Sequence, residues 1–157
     1  MPLHNDMVEY VTAVIGGQLF GVPIARVQDV FVPDRCTPVP LAPPEIAGLL
    51  NVRGRILTVV DMRKRLDVAR KDGGNRQLAL GVELNGESYG LLIDQVGEVL
   101  RVAAGSREDA PINLDRRLAQ VCPGVHRLDG KLMLVLDLDR VLELGPAART
   151  ARAGTMN

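Results

Sequence analysis

Tryptophan is absent from this 157-residue chain, and phenylalanine, tyrosine, histidine and cysteine occur only twice each. So few aromatics remove the stacking platforms on which single-stranded nucleic acids are held. Charge argues the same way. Nineteen basic and nineteen acidic side chains cancel, leaving no basic field to displace counterions from a phosphate backbone. Nucleic acid is therefore not an expected partner, and a double barrel gripping a single strand stands only as a distant alternative. Cys36 and Cys122 are far apart, as are His4 and His126. The thiols read as buried or loop cysteines of a reducing compartment, and neither residue type has the spacing of a metal site. No apolar run approaches the roughly 20 residues of a membrane span. Met1-Pro2-Leu3-His4-Asn5-Asp6 has neither the positive start nor the apolar stretch of a secretion signal. A cytoplasmic protein with no direct membrane insertion is expected.

The signatures of common enzyme chemistry are also missing. There is no glycine-rich phosphate loop with a following lysine, no nucleophile-elbow serine, no paired histidines, and no cysteine with a plausible histidine partner. Asp61 and Asp137 could be imagined as a carboxylate pair, but each stands directly ahead of a short helical pattern. Capping is the expected role, worth about 1 kcal/mol each. No catalytic residue, cofactor or metal is expected, and the chain reads as a binding protein.

What the chain does contain is a duplication. An offset of 69 carries Phe20-Gly21 onto Tyr89-Gly90, Ile24 onto Ile93, Val27 onto Val96, Asp29 onto Glu98 and Val30 onto Val99. An offset of 76 carries Gly48 onto Gly124, Gly54 onto Gly130, Val59 onto Val135, Asp61 onto Asp137 and Leu66 onto Leu142. Ordered matches of this kind indicate paired structural units. A half of about 60–70 residues buries too little surface to be stable alone, so the two should share apolar area.

Each copy repeats the same signals. Tyr10 to Ile15 and Leu78 to Leu84 alternate apolar and smaller or polar residues, with Val11, Ala13 and Ile15 able to share one face. Gly16-Gly17 and Asn85-Gly86 then supply hairpin turns. Val27 to Val32 and Val96 to Val102 read as third strands. Leu49 to Val52 and Ile56 to Val60 form a hairpin around Arg53-Gly54, matched in copy two around Asp129-Gly130. Pro43-Pro44-Glu45 suits the first turn of a short helix through Ala47. Short helices are expected over Met62 to Leu66 and Leu138 to Leu144. The expected fold is mainly β: two five-stranded, mostly antiparallel barrels with short helices, spanning residues 8–70 and 76–144. Arg70 to Arg76 forms the linker, and residues 145–157 form a disordered tail. Function is expected in the groove between the barrels.

The stretch from Pro43 to Arg63 departs most from ordinary β-structure. Ile46, Gly48, Asn51, Arg53, Gly54, Val59, Asp61 and Arg63 fill the pattern I-x-G-x-x-N-x-R-G-x-x-x-x-V-x-D-x-R. Phe20-Gly21-Val22, Val27-Gln28-Asp29-Val30 and Leu134-Val135-Leu136-Asp137-Leu138 add to it. Over about residues 8 to 144 the chain resembles the chemotaxis coupling proteins, the CheW-like family. That resemblance implies two SH3-like barrels and a non-enzymatic adaptor. It also implies two partners, the cytoplasmic tip of a chemoreceptor and the CheW-like regulatory domain of a histidine kinase, with recruitment to receptor arrays at the inner face of the membrane. A scaffold for a non-flagellar pathway (pili, surface behaviour or gene regulation) is the alternative within the same family. Val27, Asp29, Val30, Leu50, Val52, Arg53 and Gly54 are the protein-binding residues it implies. The family more often has Glu at the position of Asp29, so the shorter side chain weakens the expectation of a direct pair with Arg53.

Arg53 also stands out without the family. Copy two has Asp129-Gly130 at the matching hairpin, so the repeated fold does not require an arginine there. Strand alternation places Val27 with Asp29 and Gln28 with Val30 on opposite faces, so one valine of the pair should be exposed. Ile56, Val59 and Val60, with Leu132, Val135 and Leu136, are expected in the core.

Overall fold

The computed structural model describes residues 6–68 and 77–143. The first half supplies β1 (Met7–Ile15), β2 (Gln18–Pro23), β3 (Val27–Phe31), β4 (Ile46–Val52), β5 (Arg55–Asp61) and α1 (Met62–Leu66). The second supplies β6 (Leu78–Leu84), β7 (Glu87–Ile93), β8 (Gln95–Ala103), β9 (Arg107–Asp109), α2 (Arg116–Val121), β10 (Gly124–Leu128), β11 (Lys131–Val135) and α3 (Leu138–Val141). The opening hairpins turn where glycine and asparagine permit it. Gly16 and Gly17 lie at φ 60° and 84°, and Asn85 and Gly86 at 53° and 81°, the pair of positive values a two-residue turn needs.

The strands form a six-stranded sheet in the order β8-β1-β2-β11-β10-β9 and a five-stranded sheet in the order β3-β6-β7-β5-β4. Each opening hairpin therefore belongs to the other copy's sheet. The units are not the sequence halves 8–70 and 76–144, and one sheet has a sixth strand, the three-residue β9. The chain crosses between the sheets at two short links. A single 3-10 turn, Ile24–Arg26, separates β2 from β3, and Asp94 alone separates β7 from β8. At each link the chain passes to the opposite sheet rather than folding back beside the strand it leaves. The exchange obeys the duplication. Val59 pairs with Gly90 where β5 runs parallel to β7, and Val135 pairs with Gly21 where β11 runs parallel to β2.

Alternation along these strands serves two cores at once. Val11, Ala13, Ile15, Phe20 and Val22 from one sheet meet Leu80, Val82, Tyr89, Leu91 and Ile93 from the other in a single layer, closed by Met62, Leu66, Leu138 and Val141 of the helices. The opposite strand faces fill two smaller interiors, one around Leu50, Val59, Ala79 and Leu92 and one around Tyr10, Met133 and Val135. With each buried large aliphatic contributing roughly 1.5–3 kcal/mol, the shared layer dominates. The space expected to be a groove is packed core.

Other expectations resolve locally. Asp61 caps α1, its Oδ1 accepting from the Arg63 and Lys64 amides at 3.0 and 3.3 Å. Asp137 caps α3 by accepting from the Arg140 amide at 3.4 Å. Pro43 to Glu45 is a turn rather than the start of a helix, closed by the Ile46 amide on the Pro43 carbonyl at 2.9 Å, and Ala47 lies in β4. Ile56 is 52% exposed at the start of β5 rather than core, whereas Val59, Val60, Val135 and Leu136 are buried. The helix α2 was not expected. Its signals are Asp115, which accepts from the Arg117 amide at 2.8 Å, and the apolar spacing Leu114, Leu118, Val121. The linker and tail expectations fall outside the described residues, as does Leu144 of the last helix.

One ion pair ties the two sheets. Arg63, only 7% exposed, pairs with Asp94 at the crossing between β7 and β8. The same carboxylate accepts from the Gly16 amide at 2.8 Å, and the Asp94 amide donates to the Val14 carbonyl at 2.9 Å. Removing the carboxylate strands a buried guanidinium. Asp94→Ala is expected to cost about 3 kcal/mol in urea unfolding, against less than about 1 kcal/mol for Glu108→Ala in the exposed Arg127–Glu108 pair. Exchange also predicts that fragments 1–72 and 73–157, each lacking strands of both sheets, stay unfolded alone and gain β-type circular dichroism on mixing. A fragment that folds by itself would contradict the interlock.

Candidate functional site

The signature segment can be read residue by residue. Ile46 is buried in the shared layer. Gly48 lies at φ 152° under Thr37, whose carbonyl oxygen would stand 2.6 Å from any Cβ. Thr37 there bridges to Leu49, with both backbone bonds at 2.8 Å, and so closes the five-stranded sheet toward a barrel. Asn51 Oδ1 accepts from the Gly54 amide at 3.1 Å and fixes the turn. Gly54 takes φ 82°, Val59 fills the barrel interior, Asp61 caps α1, and Arg63 makes the buried ion pair. Every position has a structural reason except Arg53.

Arg53 sits at φ 53°, the left-handed region, exposed at the hairpin tip. For a residue with a Cβ that conformation costs roughly 1–2 kcal/mol, and asparagine or glycine is preferred there. The matching Asp129 is not at positive φ. Among the described residues Arg53 has neither an ion pair nor a hydrogen bond, and no pair with Asp29 forms.

The two implied segments, 27–30 and 50–54, meet on the five-stranded barrel. Arg55 Nη1 donates to Gln28 Oε1 at 3.3 Å and to Ser88 Oγ at 3.5 Å, holding the hairpin to the start of β3. Phe31 and Val52 pack on the cluster that contains Leu50. Within this arrangement the implied residues separate into two groups. Leu50 is 7% exposed, Val52 is half-buried against the same cluster, and Val27 is half-buried against the shared layer. Asp29 is half-buried, with Oδ1 turned onto Gly81, where a Cβ would collide with it. Val30, at 40% exposed, is the outward valine, as is its counterpart Val99. The surface therefore presents Val30, Arg53 and Gly54, while Val27, Asp29, Leu50 and Val52 support it from beneath.

The titratable groups gathered elsewhere are structural in their surroundings. His126, 1% exposed, lies inside the six-stranded unit with Tyr10. Ser106 Oγ donates to the Ala103 carbonyl at 2.7 Å, so it accepts from His126 Nδ1–H at 3.0 Å. His126 Nε2 is then left to accept from the Tyr10 hydroxyl at 3.3 Å. This chain of donors fits the neutral ring. Burial pushes the His126 pKa below the usual histidine value, helped by the nearby Arg107 and opposed by Glu108. Burial likewise raises the Cys122 thiol to about 12, with Asp137 adding to the shift. Among the described residues no group of His, Cys, Asp and Glu could hold a metal ion, and no helix is long and apolar enough to cross a membrane.

Two reciprocally exchanged β-barrels, with an exposed arginine at the tip of a signature hairpin, define a barrel-pair module. Residues 9–145 match the CheW-like domain family, and the chain belongs to it. It is 26% identical over 145 residues to a chemotaxis protein CheW of Treponema pallidum (strain Nichols), covering 90% of this chain and 85% of that protein. It is 28% identical over 142 residues to one from Rhizobium meliloti (strain 1021), covering 88% and 90%. Its fold matches the crystal structure of the scaffolding protein TtCheW from Thermoanaerobacter tengcongensis with a TM-score of 0.79, at 26% identity, over 89% of this chain and 95% of that one.

The buried histidine predicts an acid limit. Its folded pKa lies below the unfolded value of about 6.5, so the unfolded state takes up the proton first. His126 thus contributes full stability above about pH 6.5 and loses it as pH falls toward the folded pKa. In urea melts, His126→Gln is expected to flatten the decline between about pH 6.5 and 5. An unchanged slope would show that the ring protonates in place.

Proposed function

We propose that the chain is a non-enzymatic adaptor of chemotaxis-type signal transduction, coupling the cytoplasmic tip of transmembrane chemoreceptors to a histidine kinase. The kinase contact would be made through the kinase's own CheW-like regulatory domain, barrel against barrel. Recruitment to receptor arrays at the inner face of the membrane follows from receptor binding and needs no insertion of this chain. The observation that carries the reading is Arg53. It is held in a disfavoured backbone conformation, exposed and without an ion pair among the described residues, in a segment where every neighbouring motif residue serves the fold.

Family membership and the relatives' names support the pathway, and the barrel-pair geometry supports the mode. Because the layer between the sheets is filled, the partner helix rests on the rim that carries Val30 and Arg53. Contacts of this size are individually weak. Repetition across an array raises the effective concentration and makes assembly steep. A cation with free donors at the rim suits a partner carboxylate or carbonyl, where truncating a hot-spot side chain costs about 2 kcal/mol or more.

The test separates binding from folding. Arg53→Asn suits the turn better and is expected to leave thermal stability equal or raised by up to about 1 kcal/mol. It should nevertheless weaken capture of a receptor and a histidine kinase from cell lysate by more than about tenfold. Arg53→Glu should abolish capture. If both variants capture the two proteins like the wild type, the arginine has no part in docking and the reading fails.

A further inference from the structure

The duplication offers an internal comparison for the one ion pair that ties the sheets. Its two offsets carry Asp94 onto Ala25 and Arg63 onto Asp139. In one copy the seat at the sheet crossing is filled by a guanidinium and its carboxylate, both largely buried. At the other crossing the turn Ile24–Arg26 has no carboxylate, and the helix carries a short acid where its counterpart has the arginine. A pocket of about 180 Å³ opens there, lined by Pro23, Arg26, Arg107, Asp139 and the end of β11 running into α3.

The charges around it do not balance. Asp137 is committed to capping α3 and to Arg140 at 3.6 Å. Arg26 and Arg107 have neither an ion pair nor a hydrogen bond among the described residues, and Asp139 has no cation within ion-pair distance. Two free guanidiniums thus face one free carboxylate. Arg26 stands where the other copy has the uncharged Gln95, so this crossing carries a cation and lacks the anion. Arg107 lies across Gly124, where any Cβ would collide with its guanidinium. Pro23, Leu136 and Leu138 supply apolar walls, which strengthen a charge-assisted contact by excluding water.

We propose that this pocket is a carboxylate seat, taken by an aspartate or glutamate side chain from an acidic segment of a docking protein. The arriving group replaces the carboxylate that the chain supplies for itself in the other copy. Arginine forks suit the two oxygens of a carboxylate. Asp139 at the rim disfavours a doubly charged anion, so a single carboxylate is selected over sulfate or phosphate. The seat shares no residue with the Val30 and Arg53 surface and does not depend on what that surface binds.

The test follows the Arg26 and Arg107 side-chain Nε–H signals by NMR in the full chain, at matched ionic strength. The probes are a tetraglutamate peptide with both ends blocked, free glutarate and sulfate. The peptide is expected to shift both signals saturably and more strongly than sulfate. Arg26→Ala and Arg107→Ala should each weaken it by about tenfold. The paired change Ala25→Asp with Asp139→Arg rebuilds the other copy's ion pair. It should abolish the peptide response while leaving the melting temperature at or near that of the wild type, so loss of binding there cannot be loss of folding. Equal response to sulfate would reduce the pocket to an adventitious ion only. Response to glutarate without the peptide would make it a small-molecule site, and binding that survives the rebuilt pair would place the peptide elsewhere. Each of these outcomes overturns the proposal.

Discussion

The apolar layer between the two sheets is the constraint from which the rest of this molecule follows. Neither sheet can bury its inner surface alone, because central strands such as β7 carry large apolar residues on both faces. Tyr89, Leu91 and Ile93 of β7 point into the shared layer, while Leu92 points into the barrel. At two short crossings, Ile24–Arg26 and Asp94, each opening hairpin passes into the other copy's sheet. The halves are thereby fastened by main-chain ladders as well as by side-chain packing. The buried Arg63–Asp94 pair sits at one crossing, where it specifies the join more than it stabilises it.

The apolar residues of the shared layer are consumed by folding. Under the proposed function, exposed groups along the rim meet the partners. The signature hairpin shows how little of a recognisable motif needs to be functional. Gly48, Asn51, Gly54, Asp61 and Arg63 are each demanded by a close approach, a turn, a cap or a buried charge. Within this segment Arg53 is the residue held against its backbone preference, a positive φ that Leu41 and Asp67 also take elsewhere in the chain. Backbone strain of this kind clusters at sites set by binding rather than stability.

Much of this was legible in the residues. The turn dipeptides, the period of two along β1 and β6, and the two capping aspartates fixed the element types because each rests on local chemistry. Sheet membership was not legible. Alternation reveals that both faces of β7 are apolar, and it cannot reveal which neighbour covers each face. The choice between Val27 and Val30 needed the same missing information, since parity separates the faces without naming the inner one. Pro43-Pro44-Glu45 misled because proline suits a helix start and a tight turn equally well, and the Ile46 bond to Pro43 decides for the turn. Hydrophobicity alone places Ile56 in the core, yet its position at the head of β5 leaves it in solvent. The candidate residues were recognisable as a set through their pattern. Their division into presented and supporting side chains came only from burial.

The shared layer makes the two barrels one cooperative body, and native-state hydrogen exchange across a denaturant series measures this most directly. The amides of β1 and β2 should lose protection together with those of β6 and β7, in one global opening with a common free energy and a common denaturant dependence. If one sheet opens at markedly lower denaturant while the other keeps its protection, the barrels are independent. The shared layer would then not be the interaction on which the fold depends.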